Sequence, residues 1–144
     1  MKHLLILVLI IVSLTGCAQQ EQPSLYDRLG GEEGISSIID DAVAMHSENP
    51  VVAARFLPYS EQPERLAEIK QHFVEFVSAG TGGSQEYTGR DMVTAHQGMN
   101  ISPAEFMAVV DDLMIVLDQH QIDEQSKKDM LYISWSLKGM IVGQ

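Results

Sequence analysis

The chain of 144 residues has a single cysteine, few aromatics, and no stretch that alternates apolar and polar residues in the manner of a strand. One cysteine cannot form a disulfide within the chain, so packing or a bound group has to hold the fold. Basic residues are scarce, with nine Lys and Arg against twenty Asp and Glu and a formal net charge of −11. So acidic a surface repels nucleic acid and anionic lipid, which excludes nucleic-acid binding and leaves basic proteins or small neutral ligands as clients. The one long apolar run, Leu4 to Val12, falls far short of the roughly 20 residues that a membrane-spanning helix needs.

That run follows Lys2 and His3 and leads into Leu14-Thr15-Gly16-Cys17. The arrangement resembles the lipobox of bacterial lipoprotein signal peptides, which are cut before a cysteine that is then lipidated. The alternative is an ordinary secretory signal with an incidental cysteine. The position of the only cysteine favours the lipobox. The resemblance implies a signal peptide over residues 1–16, acylation at Cys17, a polar tether over 17–23 and a domain over 24–142. It further implies an exported, lipid-anchored protein. Ala18 after the cysteine favours the outer membrane, or otherwise the periplasmic face.

From Ser24 onward the periodicity is helical. Ser24 caps a short helix stopped by Gly30-Gly31. A second helix runs from about Glu32 to Ser47, with Ile35, Ile38, Ile39, Ala42, Val43 and His46 on one face, and Asn49-Pro50 ends it. A third begins near Pro63 with Leu66, Ile69, Phe73, Phe76 and Val77 inward and closes at Gly80 to Gly83. Ser102-Pro103-Ala104-Glu105 combines a capping box with proline at the first helical position. A last helix starts around Asp123 and offers Met130, Ile133, Leu137 and Ile141. The pattern predicts an all-α domain of four main helices and two short ones.

The segment Tyr87 to Ile101 places His96 between Gly89 and Gly98, so any helix there is about two turns long. Met92, His96 and Met99 share a face at i, i+4, i+7. A lone imidazole among soft apolar side chains on a short element suits one axial bond to a flat hydrophobic cofactor, haem being the commonest case. The absence of C-x-x-C-H excludes covalent attachment of the c type.

SLYDRLGG at 24–31, Gly82-Gly83, and Tyr87-Thr88-Gly89-Arg90-Asp91-Met92 followed by His96-Gln97-Gly98 resemble the motifs of group I truncated haemoglobins. The resemblance spans Ser24 to about Val142. It implies a truncated-globin fold, a two-over-two helical sandwich, holding haem b (iron protoporphyrin IX) with His96 as proximal iron ligand. Phe56 matches the phenylalanine that packs on the haem face at the start of the corner loop. Met92, Met99, Ile101, Phe106 and Val110 are candidates for the proximal wall. Lys70 and Arg90 either pair with the propionates or are simply solvated.

The distal side departs from the family. Val43 stands where tyrosine is frequent, and Ile69 and Phe73 where glutamine is. His72 falls where some members carry a second iron-binding histidine; its other reading is a solvated edge residue. His46 and His120 read as surface or rim residues. Two functions follow from the resemblance. One is a ligand carrier that binds dioxygen, nitric oxide or carbon monoxide reversibly, gated by His72. The other is a bis-histidyl electron-transfer or nitric-oxide-detoxifying redox protein served by a reductase or donor. A third reading, without haem, is a structural helical lipoprotein.

Overall fold

The computed structural model describes residues 22–144, so the expected signal peptide, Cys17 and most of the tether lie outside the described residues. Among the described residues seven helices follow one another: α1 Leu25–Arg28, α2 Gly31–Glu48, α3 Ala53–Ser60, α4 Pro63–Thr81, α5 Met92–His96, α6 Pro103–Gln119 and α7 Glu124–Ile141. Among the described residues there is no strand, only an isolated parallel bridge between Ile101 and Val142.

Local chemistry sets the ends of these helices. Ser24 and Ser102 each accept a backbone N–H and are answered by Asp27 and Glu105, which makes two reciprocal capping boxes. Asp91 and Asp123 cap α5 and α7 through their carboxylates. Gly82, at φ 103°, closes α4 in the left-handed region that glycine adopts at no steric cost.

Helix α2 is the centre of the molecule, because it packs on α3, α4 and α6. Helix α6 in turn packs on α7, and α7 on α5 and α1. The two pairs, α2 with α4 and α6 with α7, form the two layers. The core between them contains Leu29, Ile35, Ile38, Ala42, Val43, Val74, Val116, Leu117 and Met130. Val116 and Leu117 are wholly buried, and burial of each such side chain contributes about 1.5–3 kcal/mol.

Polar ties fix the layers. Arg28 joins α1 to α7 by donating to Ser126 Oγ at 2.7 Å and Asp129 Oδ2 at 2.6 Å. Arg55 joins α3 to α6, donating to Glu105 Oε1 at 2.7 Å, and to the segment after α5, donating to the Met99 carbonyl at 2.8 Å. The chain end is held to the same segment, since Asn100 N–H donates to the Gln144 carbonyl and Gly143 N–H to that of Ile101.

Two features differ from the sequence expectation. The corner around Phe56 is a helix, α3, with Pro58 inside it. Proline costs that helix one internal hydrogen bond, and contact with α2 and α4 sustains it instead. His46 is not at the rim. Only 6% of its surface is exposed, because α6 covers it and supplies Asp112 as a partner.

Candidate functional site

Between the layers lies a mostly apolar cavity of about 650 Å³. All ten residues singled out from the sequence line it: His96, His72, Phe56, Ile69, Phe73, Met92, Met99, Ile101, Phe106 and Val110. Val43 lines it too, so the wall formed by α2 and α4 at Val43, Ile69 and Phe73 offers no hydrogen-bond donor.

His96 ends the five-residue helix α5, and its orientation comes from that helix itself. Its Nδ1–H donates to the Met92 carbonyl, one turn earlier, at 2.8 Å. Spending the Nδ1 proton there fixes the tautomer and leaves the Nε2 lone pair free, which is the arrangement of a metal-ligating imidazole. The Asp91 cap holds the helix start by accepting the Thr94 N–H at 3.0 Å, and hydrogen bonding from the Thr94 side chain, with this backbone bond beside it, keeps the Asp91 carboxyl below the usual carboxylate range.

His72 is a half-buried residue of α4 that lines the same cavity. Its ring stands edge-on to Tyr87 at 6.1 Å between centroids, and Tyr87 in turn packs edge-on against Phe76 at 5.3 Å. Two carboxylates attend it: Glu75 at 3.5 Å from Nδ1 and Glu68 at 3.8 Å from Nε2. Glu75 is itself held by Thr88, whose hydroxyl and N–H both donate to it and keep its carboxyl below the ordinary range.

Of the two cations named from the sequence, Arg90 lines the cavity. Lys70 turns away to pair with Asp40 at 2.8 Å. Arg65, overlooked in the sequence, lines the cavity on α4. Its signal was its spacing, four residues before Ile69 and seven before His72 on one helical face.

Behind Phe56 stands a buried polar group. His46 Nδ1 and Asp112 Oδ2 are 2.9 Å apart, and Asn49 Nδ2 donates to both Asp112 oxygens at 2.9 Å. The His46 ring lies 5.3 Å from that of Phe56. Burial pushes the His46 pKa below its ordinary 6.5, with Asp112 only partly opposing. His120 remains near the surface, bonded to Asp41.

A family model described as bacterial-like globin matches residues 24–142. The chain belongs to the bacterial-like globin family. Over 106 residues this globin is 26% identical to the group 1 truncated hemoglobin of Tetrahymena thermophila, a match covering 74% of this chain and 84% of that protein. It is 24% identical over 121 residues to a group 1 truncated hemoglobin of a Nostoc species, covering 84% of this chain and 98% of that one. The Fe(III) truncated hemoglobin of Tetrahymena pyriformis superposes with a TM-score of 0.75 at 18% identity, covering 85% of this chain and 100% of that one. The 2/2 hemoglobin of a Synechococcus species, whose structure has covalently attached heme, gives 0.71 at 22%, covering 81% and 94%. The fold is thus that of the two-over-two truncated globins.

Proposed function

We propose that this globin holds haem b in its cavity, with His96 Nε2 as the proximal ligand, and reversibly binds dioxygen or another diatomic gas. The supporting observation is the His96 Nδ1 hydrogen bond to the Met92 carbonyl, which leaves Nε2 as the ring nitrogen available to a ligand in a mostly apolar cavity that the ring lines. Bound there, haem iron supplies an open coordination position for a small ligand. The chain's own residues do the rest. Phe56, Phe106 and Val110 supply apolar surface, and Met92 and Met99 adapt to an irregular wall. Arg90, which lines the cavity with no acidic partner among the ion pairs, is the cation fitted to a propionate, and Arg65 can reach one only by leaving Glu68. Val43, Ile69 and Phe73 offer a bound ligand no hydrogen bond from their positions, an interaction worth about 1.5–3 kcal/mol, and leave His72 as the donor on that side.

A second reading has one observation in its favour: His72 shares the cavity. As a sixth ligand it would make a bis-histidyl centre suited to electron transfer or nitric oxide removal. To do so the ring has to give up Glu75 and Glu68. Supported by the leader's resemblance to a lipobox, we also propose that the domain is exported and anchored through acylated Cys17.

Absorption spectra of ferric and ferrous protein, with and without carbon monoxide, test the site. The His96→Ala variant is expected to lose stoichiometric haem retention; normal retention would end the assignment. The His72→Leu variant is expected to convert low-spin iron to high-spin under the second reading. An identical spectrum leaves His72 with its carboxylates and favours the carrier.

A further inference from the structure

We propose that the outer face of α7 is a docking surface for the lipid headgroup layer. Helix α7 has two opposed faces. Met130, Ile133, Leu137 and Ile141 line the cavity. On the other side Lys128, Leu131, Tyr132 and Trp135 follow at the i, i+3, i+4, i+7 spacing of a single stripe. This stripe is unusually apolar for an exposed one. Tyr132 is 77% exposed, Trp135 52% and Leu131 41%.

Tyr and Trp are the side chains that settle at a membrane interface, where an apolar ring meets a wet headgroup. The charges agree with that occupant. Among the described residues, five of the basic side chains are paired with carboxylates: Arg28, Arg55, Arg65, Lys70 and Lys127. Of the three without an acidic partner among these ion pairs, Arg90 lines the cavity, while Lys128 and Lys138 both sit on α7 beside the aromatic stripe. Lys138 lies over the Trp135 ring at 4.1 Å. Long lysines of this kind reach to headgroup phosphates while their stems cover apolar surface. No helix among the described residues is long and apolar enough to cross a membrane, so the geometry is that of a helix lying on one.

The occupant follows from where the chain leads, and in this the inference rests on the anchoring proposed above. From Cys17 to Ser24 the backbone reaches at most roughly 25 Å. At Ser24 the chain enters α1, which Arg28 clamps to Ser126 and Asp129 in the first turns of α7. The acyl anchor therefore holds α7 within a short distance of the bilayer. The molecule's net negative charge favours a zwitterionic surface over an anionic one.

The test uses the acylated protein in vesicles of phosphatidylcholine and phosphatidylethanolamine, with Trp135 as probe because it is the chain's single tryptophan. The expected results are a blue-shifted emission, less quenching by aqueous acrylamide, and loss of emission when the lipids carry bromine high on their acyl chains. Brominated and plain vesicles are compared at equal haem loading. A Leu131→Ser, Tyr132→Ser variant is expected to stay on the vesicles through its acyl chains while the shift is lost. Full acrylamide access without bromolipid quenching would overturn the docking. So would protection that follows protein concentration rather than lipid, since that makes the face a contact between copies. If mass measurement finds no acyl chain on the mature protein, the anchoring fails separately. Bromolipid quenching of the unacylated chain at high vesicle concentration then decides the docking in the same way.

Discussion

Single side chains set the acid limit of this molecule. Burial depresses the His46 pKa in the fold, so below 6.5 the unfolded chain takes up a proton there more readily than the folded one. Between that depressed value and 6.5 the unfolded state binds more protons, so stability rises with pH across this window and falls as pH drops below 6.5. Glu105 acts lower. Its hydrogen bond from Arg55, reinforced by Ser102, holds its pKa near 2, so its contribution is intact above 4.5 and is lost as pH falls toward 2. Urea midpoints measured across pH are expected to show both losses. The upper one should disappear in His46→Gln and the lower one in Glu105→Gln. His46 could not have been placed from sequence: its spacing gave the inward face of α2, but its burial depends on Asp112, 66 residues away. The orientation of His96, by contrast, is set locally, because its hydrogen bond closes on its own helix, four residues back.

At the scale of elements, what local chemistry determines could be read directly. The capping box at Ser102, the Asp123 cap and the left-handed glycine at the end of α4 all use neighbours within four residues. Helix α3 escaped for the opposite reason. Pro50 and Pro58 signal a break, and only packing against α2 and α4 makes a helix of Ala53–Ser60. The α1–α2 junction hides a tighter constraint. A Cβ on Gly34, inside α2, would sit 2.1 Å from the Leu29 carbonyl oxygen, a backbone atom that cannot yield. The Gly34→Ala variant is therefore expected to lose about 3 kcal/mol, more than any helix-propensity gain returns. Denaturant unfolding of haem-loaded and haem-free protein measures it; an unchanged midpoint would mean that α1 shifts freely.

The whole molecule is organised around its cavity. Helices α2, α4, α5, α6 and α7 all contribute to the wall, so a ligand bound there ties together both layers. A group that binds only the folded state stabilises it by about 2.7 kcal/mol at a hundredfold excess over its Kd. Haem loading is expected to raise the melting temperature of the native chain in proportion to occupancy, and to leave that of His96→Ala nearly unmoved. A melting curve indifferent to haem would remove the cavity from the proposed function. Helical faces point several lining residues of this cavity inward, among them Ile69, Phe106 and Val110, but no local pattern shows how Arg65 and Arg90 share it while Lys70 is drawn off to Asp40.

The proton on His96 has one more implication. A proximal imidazole whose N–H leans on a carboxylate takes on anionic character and pushes electron density toward the metal, as enzymes that split peroxide require. Here that proton rests on a peptide oxygen, a neutral and weaker acceptor. If His96 holds haem as proposed, this acceptor would give only a slight push, which would suit holding a gas molecule intact better than breaking an oxygen–oxygen bond.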